Sequence, residues 1–557
     1  MTSISVIGCG PMGLYALKRL VSCDRPLDIT IFESSSTPGI GMPYRSDTTS
    51  DEMLCNAFSR EIPSFTQPFV DWLRDQPSDF LARFGISPEN AGSRDFYPRT
   101  LLGLYLGAEF DAITARAEQD GHRIVVRARH QVTDVVPQAA GTLIKGNSPD
   151  GDFSIESDEV IIATGHRWPE DPEIGGVPLV SPWPAERLTG LPAGRIGVIG
   201  ASLSAIDVTL TLAATHGSFD HSDAGVRWLP NDGSDAFRVT LLSQKGIMPE
   251  PDFWYPFPYE PLAHLSEQGV ADEIEKGAEG LLERLFDLLL RDLDAEDPAY
   301  LEQLGEGARS IEGFGPAYFA RRAEVGGLRS VRNMYRDALD AVAKKETIPS
   351  RYVLLRADAN FDLGLRALGD ADYDRFRKHL LPVFADAYAA VPHRSVQRLL
   401  ALHEAGVLAL QSTGSDVRYA ALPEGRVSAT VEGEEMVFDV MIDARGQQAE
   451  GVDALPFPSL TAQLGPEPVT EPFRLDPGET PGGGIYCLAL PQLLERYPFS
   501  QGLENCSELS RIAVDDLLGR LFASDDGSVA CDGTSVREQG ASPVTPDVGR
   551  GSERPAA

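Results

Sequence analysis

The chain has 557 residues, 42% hydrophobic and 24% charged, the balance of a folded globular protein with room for two or three domains. Its formal net charge of -34 excludes attraction to nucleic acid or to an anionic membrane surface, because no basic field exists to draw either in. No apolar run reaches the length of a membrane span, and no basic leader precedes the first strand, so no signal peptide and a cytoplasmic setting are expected.

Residues 4–8 read as a buried strand, 11–21 as a helix, and 27–34 as a second strand ending in Glu33. The turn between the first two is Gly8-Cys9-Gly10-Pro11-Met12-Gly13. In such a turn Gly8 allows the tight exit from the strand, Gly10 lets backbone approach a pyrophosphate, and Gly13 lets helix and strand pack closely. The free N–H groups of the helix start then face the phosphates. Glu33 accepts from both hydroxyls of an unphosphorylated ribose. Together these features point to a Rossmann dinucleotide site.

Further helices are expected at 66–74 and 99–116. "GHRIVVRARHQVTDVVPQ" (121–138) alternates like strands of a small antiparallel sheet, and "DEVIIATGHRWP" (158–169) reads as a buried strand ending in Ala163-Thr164-Gly165. A Pro- and Gly-rich link at 169–195 leads to a second strand–turn–helix, with Gly200-Ala201-Ser202-Leu203-Ser204-Ala205 as its turn. The following strand (237–246) ends in Ser243-Gln244-Lys245, with no acid. A hydroxyl and a cation there suit a 2′-phosphate; a solvated surface lysine is the alternative. FAD is therefore expected on the first turn and NADPH on the second, with hydride passing from one to the other.

Beyond the second turn, "DFWYPFPYEP" (252–261) sets Trp254, Tyr255, Phe257 and Tyr259 either as a water-excluding wall or as a packed loop. Residues 262–345 are expected to be helical, with "EGLLERLFDLLLRDL" (279–293) amphipathic. Arg321, Arg322, Arg329 and Arg332 either bind a substrate carboxylate or neutralise acidic neighbours. Residues 394–410 read as a helix running into a strand, 436–447 and 482–490 as strands, 505–523 as a last helix, and 526–557 as a disordered tail. The six cysteines (Cys9, Cys23, Cys55, Cys487, Cys506, Cys531) form no CxxC pair, which speaks against a redox disulfide and a metal site. His166 either touches the nicotinamide side or bridges loop backbone.

The expected fold is α/β, with two Rossmann-like dinucleotide-binding domains and a helical insertion. The divisions are 1–194 for the first part of the FAD domain and 195–260 for the first part of the NADPH domain. Then come 261–392 for an insertion capping the substrate, 393–525 for the return of both domains, and 526–557 for the tail.

"VIGCGPMGLYALKRL", "ITIFES", "GIGMPYRSD", "LCNAFSREIPSF", "FVDWL", "FYPRTLLGLYL" and "VIIATG" resemble the FAD/NAD(P)-binding proteins related to class B flavoprotein monooxygenases. Within that group the chain looks like bacterial enzymes that N-hydroxylate an amino acid, among them aspartate N-monooxygenases that make nitrosuccinate. The resemblance covers roughly residues 4–250, and resumes more loosely at 394–408, "MIDARGQ" and the last helix. It implies that the segment Gly39–Tyr44, including Gly41, runs past the flavin, with Asn56 and Arg99 as catalytic residues beside the isoalloxazine. Thr164 and Gly165 would be cofactor-binding. Ala163-Thr164-Gly165 and Ala444-Arg445-Gly446 would link the domains, with Arg445 alternatively a surface arginine. The helix starting near Gly502 would approach the flavin. The Baeyer–Villiger Gly/His/Trp signature is missing.

The implied activity is NADPH- and O2-dependent N-hydroxylation of a small amino acid, L-aspartate first, in specialised metabolism such as antibiotic biosynthesis. Arg99 and the Arg321–Arg332 group would take its carboxylates. The alternatives are an FAD-dependent NAD(P)H oxidoreductase without oxygenation and a non-catalytic flavin-binding regulator. Homo-oligomer formation is left open.

Overall fold

The computed structural model describes residues 2–222, 225–478 and 483–523. The tail expected at 526–557 lies outside them.

The β-branched runs Ser3–Ile7, Asp28–Glu33 and Glu159–Ile162 are apolar on both faces, as parallel strands covered by helices must be. They form the middle of a six-stranded sheet in which Val6 sits opposite Ile31 on one side and Ile161 on the other. Strand Ile485–Cys487 extends it beyond Glu159–Ile162, and Arg474–Leu475 adds an antiparallel edge. Helix Pro11–Leu20 covers this sheet and is itself covered by helix Leu503–Phe522 from the far end of the chain. Ser510 Oγ donates to the Met12 carbonyl at 2.9 Å, and Arg19 pairs with Asp515 at 2.6 Å.

A second, four-stranded parallel sheet follows the order Leu408–Ser412, Arg238–Ser243, Arg195–Ile199, Val440–Asp443. Helix Leu203–His216 leaves its second turn. Both sheets are Rossmann-like, each assembled from an early and a late stretch of chain. Between them in sequence, helices from Glu267–Glu275 to Leu381–Tyr388 build a bundle with its own core, including Leu285, Leu289, Phe314, Phe361, Phe376 and Phe384.

Helix starts follow the prolines. Pro68 and Pro98 hold the extended conformation that precedes a first turn, so the helices run Phe69–Arg74 and Arg99–Gln119. Two expectations change. The stretch 436–447 is not one strand: Glu434–Phe438 pairs antiparallel with Val427–Val431, and Val440–Asp443 joins the second parallel sheet. Arg123–Ala128 does not belong to a small antiparallel sheet; it extends the large parallel one beside Asp28–Glu33, with Ile29 opposite Ile124. Only Gln131–Pro137 begins the antiparallel unit, with Thr142–Ser148 and Gly151–Ser157. Strand alternation reports a half-buried face, and it is silent on which neighbour the strand pairs with.

Candidate functional site

The two glycine turns are built on one plan. Gly8 has φ +87°, and a Cβ there would lie 2.5 Å from the carbonyl oxygen of Ala163. Gly200 has φ +120°, and its Cβ would lie 2.7 Å from the carbonyl oxygen of Ala444. In each domain the turn presses on the end of the neighbouring strand, and only glycine fits. Ala444-Arg445-Gly446 is thus the structural counterpart of Ala163-Thr164-Gly165, and Gly165 and Gly446 both have positive φ. Arg445 is engaged locally by Asp443 at 2.7 and 2.8 Å, as a surface arginine at a strand end would be.

At the first turn, Cβ atoms on Gly13 and Gly10 would meet the Gly8 carbonyl at 2.3 Å and the Gly41 Cα at 3.2 Å. The buried Glu33 carboxylate reaches back to this turn. Oε2 accepts from the Cys9 N–H at 3.0 Å and Oε1 from the Ser35 N–H at 2.8 Å. Oε1 also takes a long bond from the Ser34 hydroxyl at 3.4 Å, which a ribose hydroxyl would displace, and Oε2 keeps a second lone pair free, so acceptor capacity remains for a ribose diol. The narrow backbone gap and the placed acceptor fit an adenine dinucleotide.

At the second turn a cavity of about 240 Å3 opens between Ala201, Ser202, Ser243 and Lys245 on one side and the helical insertion on the other. Ser202 occupies the helix N-cap position, yet its side chain makes no capping bond. The Lys245 ammonium lies 4.5 Å from the centre of the Phe319 ring. Burial lowers its pKa from the ordinary lysine value, with Asp386 acting in the other direction and Arg322 adding to the fall. This exposed cation at the cavity's edge fits a phosphate.

Between the turns lies an element that sequence reasoning missed. Arg99, at the start of helix Arg99–Gln119, forms a buried ion pair at 2.8 Å with Asp207 on helix Leu203–His216 of the other domain. Its Nε also donates to the Leu54 carbonyl at 3.2 Å, clipping the loop that carries the exposed Asn56. Burial pushes the Asp207 carboxyl up to about 6, and the guanidinium keeps it from climbing further. His166 stands beside this pair; burial and the Arg99 charge push it down to about 4, and its Nδ1 is buried without a protein hydrogen bond. Cys55 is pushed up to about 12 by burial and stays a thiol. The only signal for Asp207 was an acid inside the apolar run "AIDVTLTL".

The four arginines expected to share a carboxylate do not converge. Arg321, Arg329 and Arg332 are exposed, with Arg321 on Gln303 and Arg332 on Glu404. Arg322 is buried and already neutralised by Asp386 at 2.6 Å and Glu250 at 3.5 Å. Their positions along two helices differ in facing, so sequence proximity does not become a site. Arg99 is likewise committed to Asp207.

The aromatic stretch packs instead of walling a pocket. Tyr255 is buried with Phe58, Phe253 and Tyr352, and the hydroxyls of Tyr255 and Tyr259 both donate to Glu61 at 2.9 Å. Arg60 covers Phe257 at 4.6 Å and Arg94 covers Trp254 at 5.5 Å.

Asp358, on helix Pro349–Leu365, is pushed up to about 7 by burial, with like charge from Glu504 and Asp362 adding to it. A carboxyl raised above its unfolded value favours the folded state more as pH falls and costs stability as pH rises through 7. Asp358→Asn is expected to raise the first thermal transition most at pH 8, less at pH 5, and least below the unfolded carboxyl value. A pH-independent shift in scanning fluorimetry would contradict this.

Residues 5–167 match the FAD-NAD(P)-binding family, and residues 266–388 match the YdhS-like middle domain. YdhS of Escherichia coli (strain K12) is 36% identical over 516 residues, covering 91% of this chain and 96% of that protein. The chain belongs to the YdhS family. An FAD/NAD(P)-binding domain therefore occupies its first sheet, and the helical bundle is the family's middle domain. Among solved structures, ornithine hydroxylase PvdA from Pseudomonas aeruginosa aligns with a TM-score of 0.49 at 14% identity, covering 93% of this chain and 99% of that one. Ornithine N-hydroxylase KtzI of Kutzneria sp. 744 aligns at 0.46 and 13%, with the same coverage. These last two likenesses are too distant to carry chemistry across. No described helix is long and apolar enough to cross a membrane, and no described cluster of His, Cys, Asp and Glu could hold a metal ion.

Proposed function

We propose that this protein is an NADPH- and O2-dependent flavin monooxygenase acting on the amine of a small amino acid. The observation that carries this reading is the duplicated turn with opposite chemistry beyond it. Glu33 offers acceptors at the first, which suits FAD, and Lys245 offers a cation at the second, which suits the 2′-phosphate of NADPH. Gly8, Gly10, Gly13, Glu33 and Gly41 would hold the flavin dinucleotide, with Thr164 and Gly165 at the adjoining strand end. Gly200, Ser202, Ser243 and Lys245 would hold the nicotinamide dinucleotide. The bound flavin supplies hydride acceptance and oxygen activation. The protein's own part is to bind and orient the two cofactors and to keep ionised groups balanced at their junction.

His166, neutral at pH 7, keeps a polar atom there without adding charge. The five described cysteines are free, and burial raises the pKa of Cys9, Cys55, Cys487 and Cys506, which favours this reading over a dithiol reductase. L-aspartate remains the first amine to try from the sequence resemblance, although Arg99 and Arg322 are already paired and Arg321, Arg329 and Arg332 are exposed and do not converge.

The test is NADPH oxidation across an amino-acid panel under isotopically heavy oxygen, with product mass measured. Label in a hydroxylamine, nitroso or nitro product supports the proposal. Substrate-stimulated oxidation without label gives the oxidoreductase reading instead. Lys245→Ala is expected to raise KM for NADPH roughly ten- to hundredfold and leave KM for NADH nearly unchanged, since a charge-assisted contact contributes about 1.5–3 kcal/mol. Equal effects on both nucleotides would remove Lys245 from the site.

A further inference from the structure

We infer that the middle domain is the outer wall of the NADPH site and sets its 2′-phosphate preference, with Phe319 positioning the ammonium of Lys245. This rests on the assignment of NADPH to the second turn. The inner wall of the cavity is that turn and the strand end Ser243–Lys245; the outer wall is Phe319, Pro382, Ala385 and Asp386, all from helices Ile311–Val325 and Leu381–Tyr388.

Charges in this wall are balanced except for one. Asp386 accepts from the Tyr318 hydroxyl at 2.7 Å and pairs with Arg322, while Glu250 is shared between Arg322 and Arg351. Asp386 and Glu250 are thus already engaged by guanidiniums, and Lys245, which Asp386 influences only through space, forms no ion pair among the described residues. Its ammonium rests 4.5 Å from the Phe319 ring centre, a contact whose electrostatics hold a cation without neutralising it. The lysine is thereby kept at the cavity's edge with its charge available to an anion. Preorganisation of this kind strengthens binding by removing the cost of ordering a long side chain. Ala385 offers the smallest side chain of the outer wall and marks where a ligand would pass closest to the middle domain.

Calorimetry with 2′,5′-ADP and 5′-AMP on the FAD-loaded protein tests this without turnover. The native chain is expected to bind 2′,5′-ADP more tightly. Phe319→Leu should weaken 2′,5′-ADP about three- to tenfold, in line with a cation–π contact, and leave 5′-AMP unchanged. Phe319→Tyr should restore it, since the aromatic face returns. Ala385→Trp should weaken both ligands at least tenfold while the flavin-to-protein ratio stays that of the native chain. If Phe319→Leu and Ala385→Trp both bind 2′,5′-ADP as the native chain does, the middle domain is not part of the site. If Leu and Tyr at 319 behave alike, Phe319 has no positioning role. If the native chain binds neither ligand, the second turn is not an NADPH site and the inference falls with that reading.

Discussion

Arg99→Ala is expected to destabilise the protein by about 3–5 kcal/mol, the usual cost of leaving one member of a buried ion pair alone. Asp207→Ala should cost a similar amount, because the guanidinium is then the orphan. The double variant Arg99→Met/Asp207→Leu should recover more than half of either loss, since neither charge remains to be desolvated. The Arg99→Ala defect also carries a pH signature. Asp207 is already raised to about 6 with its partner present, and it climbs further once the guanidinium is gone. A carboxyl raised in the folded state takes up a proton on folding, so stability returns as pH falls. The loss should therefore shrink from pH 8 to pH 6. Denaturant melts at the two pH values, with the first transition followed by tryptophan fluorescence, give the answer. A loss that is constant with pH, or a double variant no better than the singles, would mean that the pair is not the junction's main contact.

Glu33→Arg should purify without bound flavin. Two charge-assisted hydrogen bonds to a ribose diol contribute about 3–6 kcal/mol together, so their loss weakens FAD roughly a hundredfold to ten-thousandfold. The substitution also strips the Cys9 and Ser35 N–H groups of their acceptor, which loosens the turn itself. Comparing apo proteins separates the two effects: the flavin-free native chain and the flavin-free variant should unfold within a few degrees of each other. Full flavin occupancy in Glu33→Arg would take Glu33 out of the site.

How much could be read from sequence follows from how local each signal is. The first turn and Glu33 belong to one strand–turn–helix–strand unit, where glycine spacing, apolar runs and a terminal acid are all set by backbone geometry over a short stretch. Lys245 was legible for the same reason. Phe319 was not, because nothing in "YFARRAEVGG" marks which ring will meet a lysine on another domain. Asp207 was invisible because an acid in a helix reads as a solvent-facing residue until Arg99 is placed against it. The arginine-rich helices misled for the opposite reason. Composition grouped four cations that helical facing then separated, and the one that turned inward met Asp386. Likewise "DFWYPFPYEP" announced aromatic packing, but Glu61, which accepts from Tyr255 and Tyr259, lies in a different segment.

The contact between the two chain ends has a consequence for synthesis. Ser510 reaches back 498 residues to Met12, and strand Ile485–Cys487 closes against Glu159–Ile162 only after the whole middle domain has been made. At ribosomal rates of about 5–20 residues per second, the first glycine turn waits roughly 25–100 s for the helix that covers it. The middle domain has all of its core but Phe499 synthesised by residue 388, ahead of the strands Val440–Asp443 and Ile485–Cys487 that complete the two dinucleotide sheets. A nascent chain arrested before residue 480 should therefore carry a protease-resistant helical bundle and no capacity to retain flavin.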